Sequence, residues 1–105
     1  MPQFRVHRNP GADSRGRFPL LLDVQSDLVS GLVTRVVVPL CPLSVLQGEP
    51  IGTLTPVFEI AGVPYAMLTP QLAGIPARQL GPEVADLAGH RAEIIAALDL
   101  VFTGL

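Results

Sequence analysis

The chain has 105 residues, of which 49% are hydrophobic and only 15% are charged, and its mean hydropathy is +0.47. This length predicts one domain with a single modest core. The apolar content is high for so small a protein, so we expect part of it to cover an interface, most simply that of a homodimer. The net charge of −2 argues against a general electrostatic attraction to nucleic acid.

Cysteine usage and the N-terminal sequence bear on the compartment. Cys41 is the only cysteine, so no intramolecular disulfide can form, and we expect this residue to be a small buried hydrophobe. The N-terminal stretch "MPQFRVHRNPGADSRGR" lacks the apolar core of a signal peptide. No apolar run approaches the roughly 18 residues that a membrane-spanning helix needs. We therefore expect a cytoplasmic protein without a membrane segment.

The first part of the chain predicts short strands separated by loops. Residues 3–8, "QFRVHR", alternate between polar and apolar, as a half-buried strand does, and the Pro- and Gly-rich residues 9–17 predict an exposed loop. Residues 18–25, "FPLLLDVQ", predict a second strand. Residues 32–40, "LVTRVVVPL", are the most β-branched stretch and predict a central strand. Pro39, Pro42 and Pro50 should then break the chain into short pieces.

The second part predicts a hairpin and then a helix. Residues 53–60 and 63–69 have strand character and are joined by Ala61 and Gly62, which predicts a two-residue turn. One more short strand is expected around residues 75–80. Pro82 suits the first position of a helix that ends near Phe102, with Glu83 and Asp86 at the positive end of its dipole. The fold class is therefore α+β, a small barrel or strongly bent sheet with a C-terminal helix.

Catalytic and metal-binding motifs are sparse. The only histidines are His7 and His90, and His90 follows Asp86 by four residues, which predicts an ion pair on a helix surface. The sequence has no nucleophile elbow, no metal-ligand spacing and no phosphate-binding loop, so we expect neither a cofactor nor a metal. One enzymatic alternative is a barrel endoribonuclease that uses Arg35 beside Thr34, although Arg35 also suits an outward-facing strand position.

Several blocks of sequence resemble the CcdB family. They are Gln3–Phe4, "LDVQSDLV" at 22–29, "RVVVPL" at 35–40, and "EVADLAGHRAEIIAALDL" at 83–100 leading to "TGL". The resemblance covers residues 1–105 as a single domain. It implies an SH3-like barrel with an extra small antiparallel sheet and a C-terminal helix. It also implies a homodimeric, non-catalytic toxin of a type II toxin–antitoxin system.

The resemblance implies two protein partners. CcdB-like toxins bind the GyrA subunit of DNA gyrase and trap its cleaved-DNA complex, and a cognate CcdA-like antitoxin with a disordered arm removes them. The matching gyrase-binding positions are Gln25, Ser26, Leu28, Asp99, Phe102, Thr103, Gly104 and Leu105. The matching antitoxin-binding positions are Arg8, Asn9, Arg15 and Arg17.

One position departs from the family pattern. Well-known members have Trp where this chain has Thr103. Loss of such an anchor commonly costs about 2 kcal/mol or more of binding energy. Gyrase binding that is weaker, directed at a differently shaped GyrA, or absent would each be compatible with this change. The alternatives that remain open are an endoribonuclease toxin and a non-toxic module that binds only the antitoxin.

Overall fold

Within residues 2–29 and 31–104, which the computed structural model describes, seven antiparallel strands form one curled sheet that precedes a C-terminal helix. The strands and the helix are β1 Arg5–Arg8, β2 Leu20–Asp23, β3 Thr34–Pro42, β4 Val57–Ile60, β5 Val63–Met67, β6 Ala73–Pro76, β7 Glu83–Asp86 and α1 Arg91–Thr103. The order across the sheet is β4-β5-β3-β2-β1-β7, with β6 also paired to β3. This half-barrel with a helix confirms the predicted α+β class. The hairpin of β4 and β5 lies at one edge of this single sheet, and within the described residues no separate small sheet is formed.

Strand β3 is central, as predicted, because it pairs with three other strands. It contacts β2 along one side, and along the other it pairs first with β6 and then with β5. The prediction that Pro39 would break the chain was wrong, since β3 continues to Pro42. The carbonyl of Pro39 accepts a hydrogen bond from the Leu68 amide at the junction of β5 and β6. Proline has no backbone N–H to donate. At Pro39 this lack falls at the same junction, where neither β5 nor β6 pairs with the residue.

The hairpin of β4 and β5 is confirmed, with Ile60 opposite Val63. Its two turn residues, Ala61 and Gly62, have φ values of 52° and 81°. Two consecutive residues with positive φ form the type I′ turn, whose twist matches that of the flanking strands. The short turn therefore fixes the register of β4 against β5.

The predicted start of the helix at Pro82 was wrong. Residues Glu83–Asp86 instead form β7, which pairs with β1 at the edge of the sheet, and α1 begins only at Arg91. Arg5 on β1 forms ion pairs of 2.9 Å with Glu83 and 3.3 Å with Asp86. The two acids predicted at a helix N-terminus therefore lie beside a guanidinium across two strands, an arrangement that local spacing does not reveal.

The predicted ion pair between Asp86 and His90 was also wrong, because the two residues do not share a helix. The Asp86 carboxylate accepts a hydrogen bond from the Ala88 amide at 2.8 Å. The His90 imidazole lies 3.1 Å from Glu93, and its ring centroid is 5.0 Å from that of Phe58. The predicted strand at residues 75–80 starts earlier, as β6, and residues 77–79 form a 3₁₀ turn.

The helix closes the core by packing one face onto the sheet. Ile94 and Ala97 are buried against a cluster of large apolar side chains from the strands and the segments beside them, including Phe4, Val6, Leu22, Val38, Phe58 and Leu87. Burial of each of the largest of these side chains contributes roughly 1.5–3 kcal/mol. Cys41 is buried in a smaller cluster with Ala66 and Leu68, which confirms its predicted role as a small hydrophobe. Among the described residues, no helix has the length and hydropathy to span a bilayer.

Candidate functional site

The end of α1 is a capped helix terminus with an exposed aromatic side chain. The Thr103 hydroxyl donates a hydrogen bond of 2.7 Å to the Asp99 carbonyl. Gly104 has a φ of 73°, and its amide donates to the Leu100 carbonyl at 3.0 Å. This left-handed cap gives a structural reason for glycine at this position. Asp99 is exposed and Phe102 is 68% exposed, whereas Leu105 lies outside the described residues.

The second group of predicted contact residues divides between the interior and the surface. Gln25 is buried, where its side-chain amide donates to the Val29 carbonyl at 2.8 Å and accepts from the Val36 amide at 2.9 Å. Ser26 is exposed, and its hydroxyl accepts from the Leu28 amide at 3.1 Å. The Leu28 side chain is 96% exposed. Ser26 and Leu28 are thus the surface residues of this group, while Gln25 is engaged within the protein.

The described contacts of residues 25–28 lead to β3 and, through Gln3, to the start of α1. The hydrogen bonds of residues 25–28 run to β3 and to Gln3, whose amide donates to Asp27 at 2.8 Å. Gln3 in turn accepts a hydrogen bond from Arg91, at the start of α1 rather than at its end. Val36, held by Gln25, packs against the same apolar cluster as Leu98 of α1.

Strand β3 carries a buried ion pair that sequence reasoning missed. The Arg35 guanidinium donates to the Asp23 carboxylate at 2.8 Å and 3.0 Å, and the two side chains are 1% and 0% exposed. The outward-facing position considered for Arg35 is therefore wrong, and the exposed Thr34 precedes it on the opposite face of the strand. The only hint in the sequence was an acid and a base on two strands expected to be neighbours.

The predicted antitoxin-binding residues lie at the end of β1 and in the loop that follows it. The Asn9 side-chain amide organises this loop by donating to Ser14 Oγ at 2.9 Å and to the Phe18 carbonyl at 2.8 Å. Arg8, Arg15 and Arg17 are exposed, and in the described part of the chain none of the three forms an ion pair. The Arg17 guanidinium lies 5.3 Å from the centre of the Phe18 ring. This loop therefore presents unpaired positive charge on an ordered backbone.

An open groove of about 620 Å³ lies beside the same loop. Its lining is mainly apolar with several polar side chains, and it includes Asn9, Phe18, Leu21, Val37, Ile75 and Gln79. Asn9 belongs both to the groove and to the predicted antitoxin-binding set. A mainly apolar groove with a few polar side chains suits an extended or helical peptide that carries apolar side chains.

The two histidines lie apart from these surfaces. His7 is buried, and its Nδ1 is 3.0 Å from the Gly81 carbonyl. His90 is exposed and pairs with Glu93. Over residues 2–29 and 31–104, no three His, Cys, Asp or Glu side chains are grouped as a metal site.

The curled sheet, the capped helix end and the arginine-containing loop beside its groove define a small α+β barrel-type domain with two candidate contact surfaces. The family model described as "CcdB protein" matches residues 3–104. The chain therefore belongs to the CcdB family, the toxins of toxin–antitoxin modules. Its fold is similar to that of an endoribonuclease solved in complex with its cognate antitoxin from mycobacterial species. The likeness has a TM-score of 0.75 and covers 100% of this chain and 96% of that one, and the 15% identity makes it evidence of the fold alone.

Proposed function

We propose that this protein is a non-enzymatic toxin that binds the GyrA subunit of DNA gyrase and traps the cleaved-DNA complex. It acts as a cytoplasmic homodimer, and a cognate CcdA-like antitoxin neutralises it. The proposal starts from the family assignment and extends it to a particular target, because several residues match the gyrase-binding positions that the resemblance implies.

The exposed side chain of Phe102 at the capped end of α1 is the observation that carries the proposal. A large apolar side chain held on a rigid element offers binding energy at a small entropic cost, because its backbone is already ordered. Leu28 offers a second such side chain. In a two-fold homodimer each patch occurs twice, so a two-fold target such as the GyrA pair receives two coupled contacts.

The state of Arg35 supports a binding role over RNA cleavage. An endoribonuclease of this type needs an arginine that reaches the scissile phosphate or the ribose hydroxyl. Arg35 is 1% exposed and donates to Asp23 through two hydrogen bonds, so its use in catalysis would require breaking a buried ion pair.

The loop of residues 9–17, which we call the Asn9 loop, and the groove beside it support the antitoxin as the second partner. Residues 8–17 contain three arginines and one aspartate, Asp13, so this surface is locally positive in a protein of net charge −2. A disordered arm that combines carboxylates with apolar side chains would pair with the arginines and fill the groove as it folds. Hydrogen bonds from Asn9 and within residues 11–18 hold the loop in one conformation, which would lower the cost of docking.

A DNA-cleavage assay tests the gyrase proposal directly. The purified protein is incubated with supercoiled plasmid, ATP and gyrase from its own host, and the products are treated with detergent and protease before electrophoresis. Linear DNA that requires the toxin is the expected product, because a trapped complex retains its double-strand break. Addition of the antitoxin arm should abolish the linear product.

Two variants test the helix end, and one of them has a matched control. Phe102→Ala should lower the yield of linear DNA by about tenfold or more, since truncation of an interface anchor commonly costs roughly 2 kcal/mol. Ile51→Ala is the control, because Ile51 is 63% exposed but belongs to the segment between β3 and β4 rather than to the end of α1. Deletion of residues 103–105 should likewise reduce cleavage.

A parallel reaction with RNA separates the proposal from its alternatives. RNA cleavage that Arg35→Ala abolishes, without linear DNA, would identify an endoribonuclease and overturn the proposal. Antitoxin binding without either product would leave a non-toxic binding module. Unchanged DNA cleavage in Phe102→Ala would refute the assignment of the helix end.

A further inference from the structure

The exposed Leu28 lies in a short segment, residues 26–29, that is held in place by a hydrogen bond from a buried residue. We call these residues the Leu28 segment. Asp27–Val29 form a single 3₁₀ turn, and no side chain in that turn is buried. A segment without buried side chains gains little order from its own packing, so its conformation depends on the hydrogen bonds that hold it.

Gln25 supplies the central connection. Its Nε2 donates to the Val29 carbonyl at 2.8 Å, and its Oε1 accepts from the Val36 amide at 2.9 Å. One side chain therefore joins the far end of the Leu28 segment to the central strand β3. Gln25 is itself 6% exposed, so water competes little for these bonds.

The buried ion pair fixes Gln25 in turn. The Asp23 carboxylate accepts a hydrogen bond from the backbone amide of Gln25 at 3.0 Å, in addition to its two hydrogen bonds from Arg35. A separate connection comes from the exposed Asp27, whose carboxylate accepts a hydrogen bond from the backbone amide of Gln3 at 2.8 Å. The segment is thus held at two points, one interior and one at the surface.

We infer that Gln25 is a positioning residue for the partner that binds Leu28, and not itself a contact residue. Its side chain orders the Leu28 segment before the partner arrives. The inference rests on the proposed function, in which that partner is GyrA. It divides the matched positions by role, with Leu28 and Ser26 at the contact and Gln25 beneath it.

Association and dissociation rates distinguish the two roles. Without these hydrogen bonds the segment has its binding conformation only part of the time. The apparent association rate is then multiplied by the fraction of molecules in that conformation, while the dissociation rate stays the same. Removal of a contact side chain acts mainly on the dissociation rate. We expect Gln25→Met to lower the association rate for GyrA by about fivefold to tenfold, as loss of one or two hydrogen bonds implies. Leu28→Ala should instead raise the dissociation rate.

Asp27 provides a variant pair that does not disturb the interior. Asp27→Ala removes the acceptor for the Gln3 amide and should also slow association. Asp27→Asn retains an oxygen in the same place and should restore the association rate to near that of the wild type. Hydrogen exchange of the Leu28 and Val29 amides in the free protein should accelerate in Gln25→Met and in Asp27→Ala, but not in Leu28→Ala.

The outcomes separate this inference from the proposed function. Failure of the wild-type protein to bind GyrA would overturn both. Wild-type binding with unchanged kinetics and unchanged exchange in Gln25→Met and Asp27→Ala would overturn the inference alone. A raised dissociation rate in Gln25→Met with unchanged association would identify Gln25 as a direct contact and also overturn it.

Discussion

Arg35 and Asp23 form a two-point ion pair across β3 and β2, with N–O distances of 2.8 Å and 3.0 Å. Both side chains are buried, and the Asp23 carboxylate also accepts a hydrogen bond from the backbone amide of Gln25. A buried charge is tolerated only when its partner and hydrogen bonds offset the loss of water. The pair therefore ties the β2–β3 ladder to the segment that presents Leu28.

Removal of one charge from this pair should be strongly destabilising. Asp23→Ala leaves the Arg35 guanidinium buried without its counter-ion, and we expect a loss of about 3–5 kcal/mol in the free energy of unfolding. Glu83→Ala is the matched control, since its pair with Arg5 is partly exposed and such pairs contribute about 0–1 kcal/mol. Urea unfolding of both variants measures the difference. Equal losses in the two variants would contradict the structural role of the buried pair.

The turn between β4 and β5 offers a stabilising substitution. Ala61 has a φ of 52°, which is unfavourable for alanine, whereas asparagine tolerates this region and Asn-Gly is the preferred type I′ pair. Ala61→Asn should raise the free energy of unfolding by about 0.5–1 kcal/mol. Thermal unfolding followed by circular dichroism provides the measurement. A lower melting temperature would show that the turn has another conformation.

The cap of α1 should depend on glycine. Gly104 has a φ of 73°, so Gly104→Ala should cost roughly 1 kcal/mol, although a Cβ would meet no neighbouring atom there. Gly89→Ala is a suitable comparison, because Gly89 has no positive φ and equally open surroundings. We expect little change in its urea midpoint. A loss in Gly104→Ala no larger than in Gly89→Ala would argue against the left-handed cap.

The thiol of Cys41 should be unreactive in the folded protein. Burial raises the pKa of Cys41, and the nearby Arg17 opposes this effect in part. The native state therefore retains the thiol proton to higher pH than the unfolded state. This contribution to stability is complete below the unfolded pKa of about 8.5 and is lost as pH rises through the folded pKa. Iodoacetamide at pH 8.5 should label the protein in urea much faster than in buffer; equal rates would disprove the burial.

The arginines of the Asn9 loop should control antitoxin binding through charge. We expect the double variant Arg15→Gln, Arg17→Gln to lower the affinity for the antitoxin arm by about tenfold at low salt. It should also reduce the salt dependence of that affinity. Arg91→Gln is the control, because this exposed arginine lies at the start of α1. Titration calorimetry at two ionic strengths gives both quantities. Equal effects in the control would place the antitoxin elsewhere.

Features that depend on neighbours in sequence were predicted correctly. The β-branched run of β3 and the Ala61-Gly62 turn each reflect a local preference that the fold retains. Prediction failed where a distant partner decided the outcome. Pro82 and Glu83 suit a helix start by themselves, but pairing of β7 with β1 and the charge of Arg5 favour a strand. The roles of Gln25 and Arg35 likewise depend on atoms of other strands.

The sequence by itself determined the fold class, the family and the positions that match its two binding surfaces, because these depend on composition, periodicity and short motifs. Only the tertiary structure decided which of those positions face outward. Phe102 and Leu28 are exposed, whereas Gln25 is turned inward. The physical reason is that a polar side chain enters the interior when several distant groups together satisfy its hydrogen bonds, and the chain brings those groups together only when it folds.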